Sequence, residues 1–388
     1  MKMSLSSKVL IISHYYKRTL TGGGPPQEVR DFFLPKVKKL YYIEHPFPSA
    51  SDHKSSMTIY RDGRLEKQIF SPPVYGPDWL RYILNVIFAL YFYIRSPLVY
   101  DICVSLDNLN TFSVLPLRKL NLIKRLVFYT IDYTPLRFKN VILNSIYHFV
   151  DRLACYNADA IWILSPRMIL ARKQNGVDIK RIAQSIHLPM GANLERIKIQ
   201  HLNRINRHQI VYAGFLMEKQ GIQLAIESLP KVIEKIPDVK FIIIGQGEYE
   251  RKLKQLVKNL KIAKYVDFKG FVEDHEELEK ILSKSALAVA SYVDTPDNYT
   301  RYTDPGKVKL YLGCGLPVIM TDVPQIARVI KSKKAGIIAD YNSNSFAESI
   351  IKLFSNDKLY NKYRENAIKL SKNYNTNTLI EKALNKTN

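Results

Sequence analysis

Tyr302-Thr303-Asp304-Pro305-Gly306-Lys307-Val308-Lys309-Leu310-Tyr311-Leu312-Gly313-Cys314-Gly315-Leu316-Pro317-Val318-Ile319 reads as a Pro-Gly loop, a short apolar-faced helix stopped by glycine, and an apolar strand. A loop opening a helix in this way offers unpaired backbone N–H groups and the positive helix end to an anion. In a cleft the natural guest is a phosphate or diphosphate. The pattern repeats upstream. A strand at 210–213 ends in a loop from Gly214 to Gly221, and a helix with apolar residues at helical spacing covers 222–235. A strand at 241–244 turns through Gly245-Gln246-Gly247, a third at 266–268 precedes Gly270-Phe271-Val272, and 287–290 is a fourth. The tail, 356–384, reads as helices.

The N-terminal half repeats the alternation. Strands are expected at 9–13, 39–43, 102–106, 126–131 and 160–164, with helices at 27–33 and 141–155. Such alternation predicts an α/β fold of mostly parallel sheets covered on both faces. The polar stretch at 195–208 separates two Rossmann-like domains facing across a cleft, residues 1–195 and 205–370. A helix at 371–388 is expected to pack back on the first. Ligands then belong outside the carboxyl ends of the strands.

At 388 residues, 46% hydrophobic and 24% charged, the chain can fill two cores. Cys103, Cys155 and Cys314 show no paired spacing, which argues against a disulfide framework or a zinc site and fits a reducing cytoplasm. The net charge is +23, and residues 1–200 hold 28 Lys and Arg against 14 Asp and Glu. That surplus favours acidic partners: nucleotide diphosphates, an anionic membrane surface or nucleic acid. The chain has no Cys/His finger, basic low-complexity arm or aromatic RNA-reading signature, so nucleic acid is not expected. The apolar run at 82–94 is too short to span a bilayer and reads as a buried or half-buried helix. The expected location is cytoplasmic, with a peripheral place on the inner membrane face left open.

Four strand-ending loops in order carry glycines that let a ligand approach the backbone, and Lys219 and Lys307 are point charges suited to a diphosphate. In the first half, Asp132 ends a strand. It is placed to orient or deprotonate a hydroxyl, or else to cap the turn before Pro135. His14 and Asp107 also end strands; a lone His is more often structural.

Across 210–320 the order of these loops, together with Asp304-Pro305 through Pro317-Val318-Ile319, resembles the GT-B glycosyltransferases of group-1 type, which retain anomeric configuration and include many surface-polysaccharide enzymes. The resemblance implies a nucleotide-diphosphate sugar, UDP- or GDP-linked, in the second domain. Its base would lie near Gly270, Phe271 and Val272, and its diphosphate near Tyr302, Pro305, Gly306 and Lys307. Gly214, Gly245 and Gly247 would line the donor site, with Lys219 catalytic. The glycine loop containing Gly23 and Gly24, with Asp132, would serve the first domain, where a glycan or lipid-linked saccharide acceptor binds. No metal and no cofactor are implied.

Relatives commonly carry two Glu around this loop; here Tyr302 and Leu310 occupy those places. Asp304 is the carboxylate left to face the sugar. Phe215 stands where relatives often have Arg. The same residues leave open a non-catalytic nucleotide-sugar-binding protein, or a sugar-nucleotide epimerase on the same fold.

Overall fold

The computed structural model describes residues 7–15, 24–96, 98–295 and 298–387, and the chain divides into two compact units, Met1–Pro189 with Ile380–Asn388, and Met190–Leu379. The first unit is built on eight strands: β1 (Lys8–Tyr15), β2 (Lys39–Pro46), β3 (Ser56–Arg61), β4 (Arg64–Phe70), β5 (Ile102–Leu106), β6 (Leu126–Thr130), β7 (Ala160–Ile163) and β8 (Gln184–His187). Their spatial order is β4-β3-β2-β1-β5-β6-β7-β8. From β2 across to β8 every pair is parallel, whereas β3 and β4 add an antiparallel edge. This edge hairpin, not anticipated from the sequence, closes through Asp62-Gly63, both at positive φ as a two-residue hairpin turn requires. Its outer strand, Arg-Leu-Glu-Lys-Gln-Ile-Phe, is almost wholly exposed and carries the charges of Arg64, Glu66 and Lys67, which discourage further strand pairing.

Helices α1 (Pro25–Phe33), α2 (Asp78–Arg95), α3 (Asn108–Lys119), α4 (Val141–Asn157) and α5 (Arg167–Gln174) complete this unit. Leu10, Ile12, Tyr41 and Ile43 pack with Phe92 of α2 and with Val114, Leu115 and Leu117 of α3 in one core. On α4, Asp151 meets Arg172 in a buried, two-pronged ion pair, both contacts at 2.8 Å, and Arg172 also donates to Thr130 Oγ1 at 2.9 Å. The guanidinium lies 4.6 Å from the centre of the Tyr133 ring. The last helix, Thr376–Lys386, ends at Thr387, whose hydroxyl accepts from Trp162 Nε1 of β7 at 3.0 Å.

The second unit holds β9 (Gln209–Ala213), β10 (Lys240–Ile244), β11 (Val266–Gly270), β12 (Leu287–Ala290), β13 (Val318–Met320) and β14 (Gly336–Ile338), all parallel, in the order β11-β10-β9-β12-β13-β14. Counted within the unit this is the doubly wound order 3-2-1-4-5-6, so its direction reverses between β9 and β12. Alternate strand residues fill two cores. Ile210, Tyr212, Phe241 and Ile243 pack with α6 (Ile222–Lys235) and α7 (Glu250–Asn259). Val211, Ala213, Ile242 and Ile244 pack with α8 (His275–Ser283) and α9 (Gly306–Gly313). Residues 302–319 thus form a loop, α9 and the start of β13. Among the described residues no helix is long and apolar enough to cross a membrane.

Asp151→Ala would leave the Arg172 charge buried without its partner. Its expected cost is about 3–5 kcal/mol, read as a lower urea midpoint, because removing one member of a buried pair strands the other.

Candidate functional site

At the carboxyl ends of β9, β10 and β12 the main chain crowds together. A Cβ on Gly245, at φ +132°, would come within 1.9 Å of the Gly214 carbonyl oxygen, and one on Gly247 within 2.3 Å of the Leu216 carbonyl oxygen. Gly221, at φ +72°, is tighter still, its Cβ position 1.6 Å from the Ser291 carbonyl oxygen. Leu216 N donates to Gln246 O at 3.0 Å, and Gly245 N to Gly270 O at 2.7 Å. Loop-to-loop packing therefore explains the glycines at 245 and 247. Gly270, at φ +69°, has nothing within 4 Å of its Cβ position, and Phe271 beside it is exposed. Val272 packs partly into the core shared with α9.

Gly214 has a different reason. Its Cβ position is 2.7 Å from Lys307 Nζ, so any side chain there would displace the ammonium. Lys307 Nζ donates to Gln220 Oε1 at 2.7 Å and to Tyr212 OH at 3.0 Å, and lies 4.3 Å from the Tyr212 ring centre and 5.5 Å from that of Tyr292. The Tyr292 hydroxyl is buried with no hydrogen-bond partner among the described residues. Loss of water around the Lys307 ammonium lowers its pKa to about 7. A cation held this close to neutrality gains most from an anion that restores its charge. Pro305 caps α9 with no side-chain bond, leaving Gly306 and Lys307 in the first turn at the point where the sheet order reverses.

Asp304 is placed differently from the sugar-facing carboxylate expected of it. Lys309 Nζ donates to its Oδ1 and Met190 N to its Oδ2, the latter at 3.0 Å, and both side chains are buried. It anchors the entry to α9. Tyr302 is half-buried and Leu310 packs against the core, so neither place offers a carboxylate. Lys219 lies in the single turn Glu218–Gln220, its carbonyl accepting from Val293 N at 3.2 Å and Asn298 Nδ2 at 3.0 Å.

In the first unit, Gly23 lies outside the described residues. Gly24 caps α1, but that helix start has few donors to offer an anion. Pro25 and Pro26 lack an N–H, and Gln27 N and Glu28 N both donate to Gly24 O. Burial raises the nearby Glu28 carboxyl to about 8. Asp132, after β6, accepts from Arg137 Nη1 at 2.7 Å and is half exposed.

The structure adds a pairing that reading the strands singly missed. His14 ends β1 and Asp107 follows β5, its neighbour, where this sheet too reverses its order. Asp107 Oδ2 lies 2.8 Å from His14 Nδ1, while Asn110 Nδ2 and Asn85 Nδ2 approach the imidazole at 3.0 and 3.3 Å. Asp107 adopts φ 72°, ψ 166°, a region almost confined to glycine, which neighbouring bonds must hold. His45, 5.7 Å away between ring centres, is kept neutral by burial and by His14. Among the described residues no three His, Cys, Asp or Glu side chains gather as a metal site.

Residues 194–370 match the family described as glycosyl transferases group 1. Among curated proteins, the chain is similar to a poly(glycerol-phosphate) alpha-glucosyltransferase of Bacillus subtilis, 25% identical over 177 residues, 45% of this chain and 25% of the relative. It is also similar to a phosphatidyl-myo-inositol mannosyltransferase of Mycobacterium leprae, 21% identical over 47% of each chain. The chain thus spans a quarter to under a half of the length of these relatives. Among solved structures, the sucrose-phosphate synthase of Thermosynechococcus elongatus superposes with a TM-score of 0.72 at 16% identity over 98% of both chains. Anabaena HepE in complex with UDP-glucose gives 0.71 at 14% identity, again over 98% of both. The fold is that of GT-B glycosyltransferases, two parallel-sheet α/β domains.

Lys307 is protonated below about pH 7 in the native chain, whereas an unfolded lysine holds its proton to about 10.4. The unfolded chain binds more protons across that window, so raising the pH stabilises the native state there. Urea midpoints measured at both ends should rise for wild type relative to Lys307→Met; parallel behaviour would place a full charge on Lys307 throughout.

Proposed function

We propose, for a chain whose residues 194–370 match the family described as glycosyl transferases group 1, that it is a glycosyltransferase moving a sugar from a nucleotide-diphosphate sugar to a glycan or lipid-linked saccharide, with retention and without a metal ion. The observation that carries the reading is the Lys307 ammonium, desolvated among Tyr212, Gln220 and Tyr292 at the start of α9. When the bond from sugar to diphosphate breaks, negative charge grows on the leaving phosphate. A fixed cation and the N–H groups of a helix start, already oriented and poorly hydrated, stabilise that charge without reorganising. They supply the positive charge that a divalent cation supplies in other transferases.

The open backbone at Gly270 and the exposed Phe271 offer a ledge for the base. Lys219 shares the short loop of Gln220 and adds a second cation to the diphosphate side. Asp304 acts as a positioning residue that fixes the entry to α9 through Lys309 and Met190. Asp132 would orient the acceptor hydroxyl, held in place by Arg137. A second reading, a protein that binds nucleotide sugars without turning them over, is favoured by Tyr302 and Leu310, where the family usually has carboxylates.

Thermal unfolding with UDP- and GDP-sugars should show a raised midpoint with one donor class, since a ligand of the native state stabilises it. Release of nucleotide diphosphate should then be detectable, be insensitive to a chelator, and fall by about 10²-fold or more in Lys307→Met. Stabilisation without any release would support the binding protein instead. Unaltered release in Lys307→Met would remove that lysine from the site, and loss of activity with chelator would refute the metal-free account.

A further inference from the structure

Strand β11 is the edge of the second unit's sheet. Residues 251–265, which run down α7 and turn back toward β11, contain no Asp or Glu and six Lys and Arg, all exposed. Arg251, Lys254 and Lys258 follow one another at intervals of three and four, so they share one helix face. Lys254 Nζ lies 5.5 Å from the Phe268 ring centre, which sets that face alongside β11. Lys261 and Lys264 continue the row past the helix end. Lys264 is braced there, with its Nζ 4.9 Å from the Tyr265 ring centre and its carbonyl accepting from Lys240 Nζ at 2.8 Å. Lys269 then leads into Gly270 and Phe271. Between 248 and 269 the acids are Glu248, Glu250 and Asp267, against seven cations, a net charge of +4. Glu250 pairs with Lys254 and Asp267 with Lys269, each at 2.7 Å.

Guarding an edge strand against unwanted pairing calls for charge on the strand itself, which Asp267 and Lys269 provide. The cations along α7 are a separate feature. They line about 15 Å of helix, enough to meet several charges of one extended anionic chain. A bilayer does not fit this face. Leu253 and Val257 are buried, and Leu256 and Leu260 pack against the core, so no apolar side chain of α7 is left to enter an acyl boundary. Nucleic acid is also disfavoured. The rings along the row, Tyr249, Tyr265 and Phe268, are half-buried with ammonium groups over them, and a base would need an open face to stack on.

We infer that this edge of the second unit, from α7 to β11, is a binding surface for an anionic glycan, a saccharide chain bearing repeated negatively charged groups. That such a chain belongs to the acceptor rests on the glycosyltransferase reading. The binding does not, and it is measured without donor or turnover, so either can fail alone.

Fluorescence anisotropy is followed with the full chain and labelled dextran sulfate, beside neutral dextran of equal length and single-stranded DNA of matched charge. Wild type should bind dextran sulfate, more weakly as salt is raised, and should not bind neutral dextran. Arg251→Glu with Lys258→Glu should weaken dextran sulfate binding about tenfold or more. Lys331→Glu with Lys333→Glu makes the same change in charge on exposed residues of α10 (Ile326–Lys333). That control should stay within about twofold of wild type, because salt screens charges distant from the surface. Circular dichroism checks that both variants fold. Equal losses in the two variants, or none in the first, would overturn the proposal. Tighter binding of the DNA than of dextran sulfate, lost in the first variant, would overturn it in favour of nucleic acid.

Discussion

Backbone touching backbone is the constraint on which the second unit's site depends. Gly245 against the Gly214 carbonyl, Gly247 against that of Leu216 and Gly221 against that of Ser291 bring adjacent strand-ending loops closer than any side chain allows. Only with the loop after β9 drawn in does Gln220 reach Lys307, and only with glycine at 214 is there room for the ammonium. The glycines thus act first on the protein itself. Their effect reaches Lys307 indirectly, through the tight, poorly hydrated setting they leave for its ammonium.

Much of this was legible because it is local. The loops from Gly214 to Gly270 and the segment at 302–319 each lie between an apolar run and a helix pattern, and short-range spacing identifies both. What stayed hidden depends on contacts that spacing does not encode. Asp304 looks open in the sequence, yet its partners are Lys309, folded back from α9, and a backbone N–H at Met190. His14 and Asp107 are 93 positions apart, and only the order in which β1 and β5 pair sets them side by side. The hairpin β3–β4 escaped because its outer strand is almost entirely exposed, so its apolar residues do not alternate into a buried face. Helix α3 carries an internal proline, Pro116, which weakens its helical signature.

The two units handle charge in different ways. Arg172 and Asp151 neutralise each other inside the first, and Lys309 and Asp304 do so inside the second. Among the described residues Lys307 has no carboxylate against it; its partners there are a carbonyl oxygen, a phenol oxygen and two aromatic faces. Buried cations that are already paired have little to gain from a ligand, whereas one stabilised by dipoles alone is still short of a counter-charge. That contrast separates two lysines that sequence position does not, since they stand two residues apart.

The bond between Trp162 and Thr387 has a consequence for the order in which the protein is made. Residues 380–388 complete the first unit, but they leave the ribosome only after every residue of the second. During synthesis the strands β1–β8 therefore wait without their final helical segment while the second unit, contiguous in sequence, can already fold. Trp162, fully buried in the finished chain, lacks its hydrogen-bond partner for that whole interval. The first unit is thus the first to begin folding and the last to finish, and its unfinished form is the one exposed to chaperones and proteases.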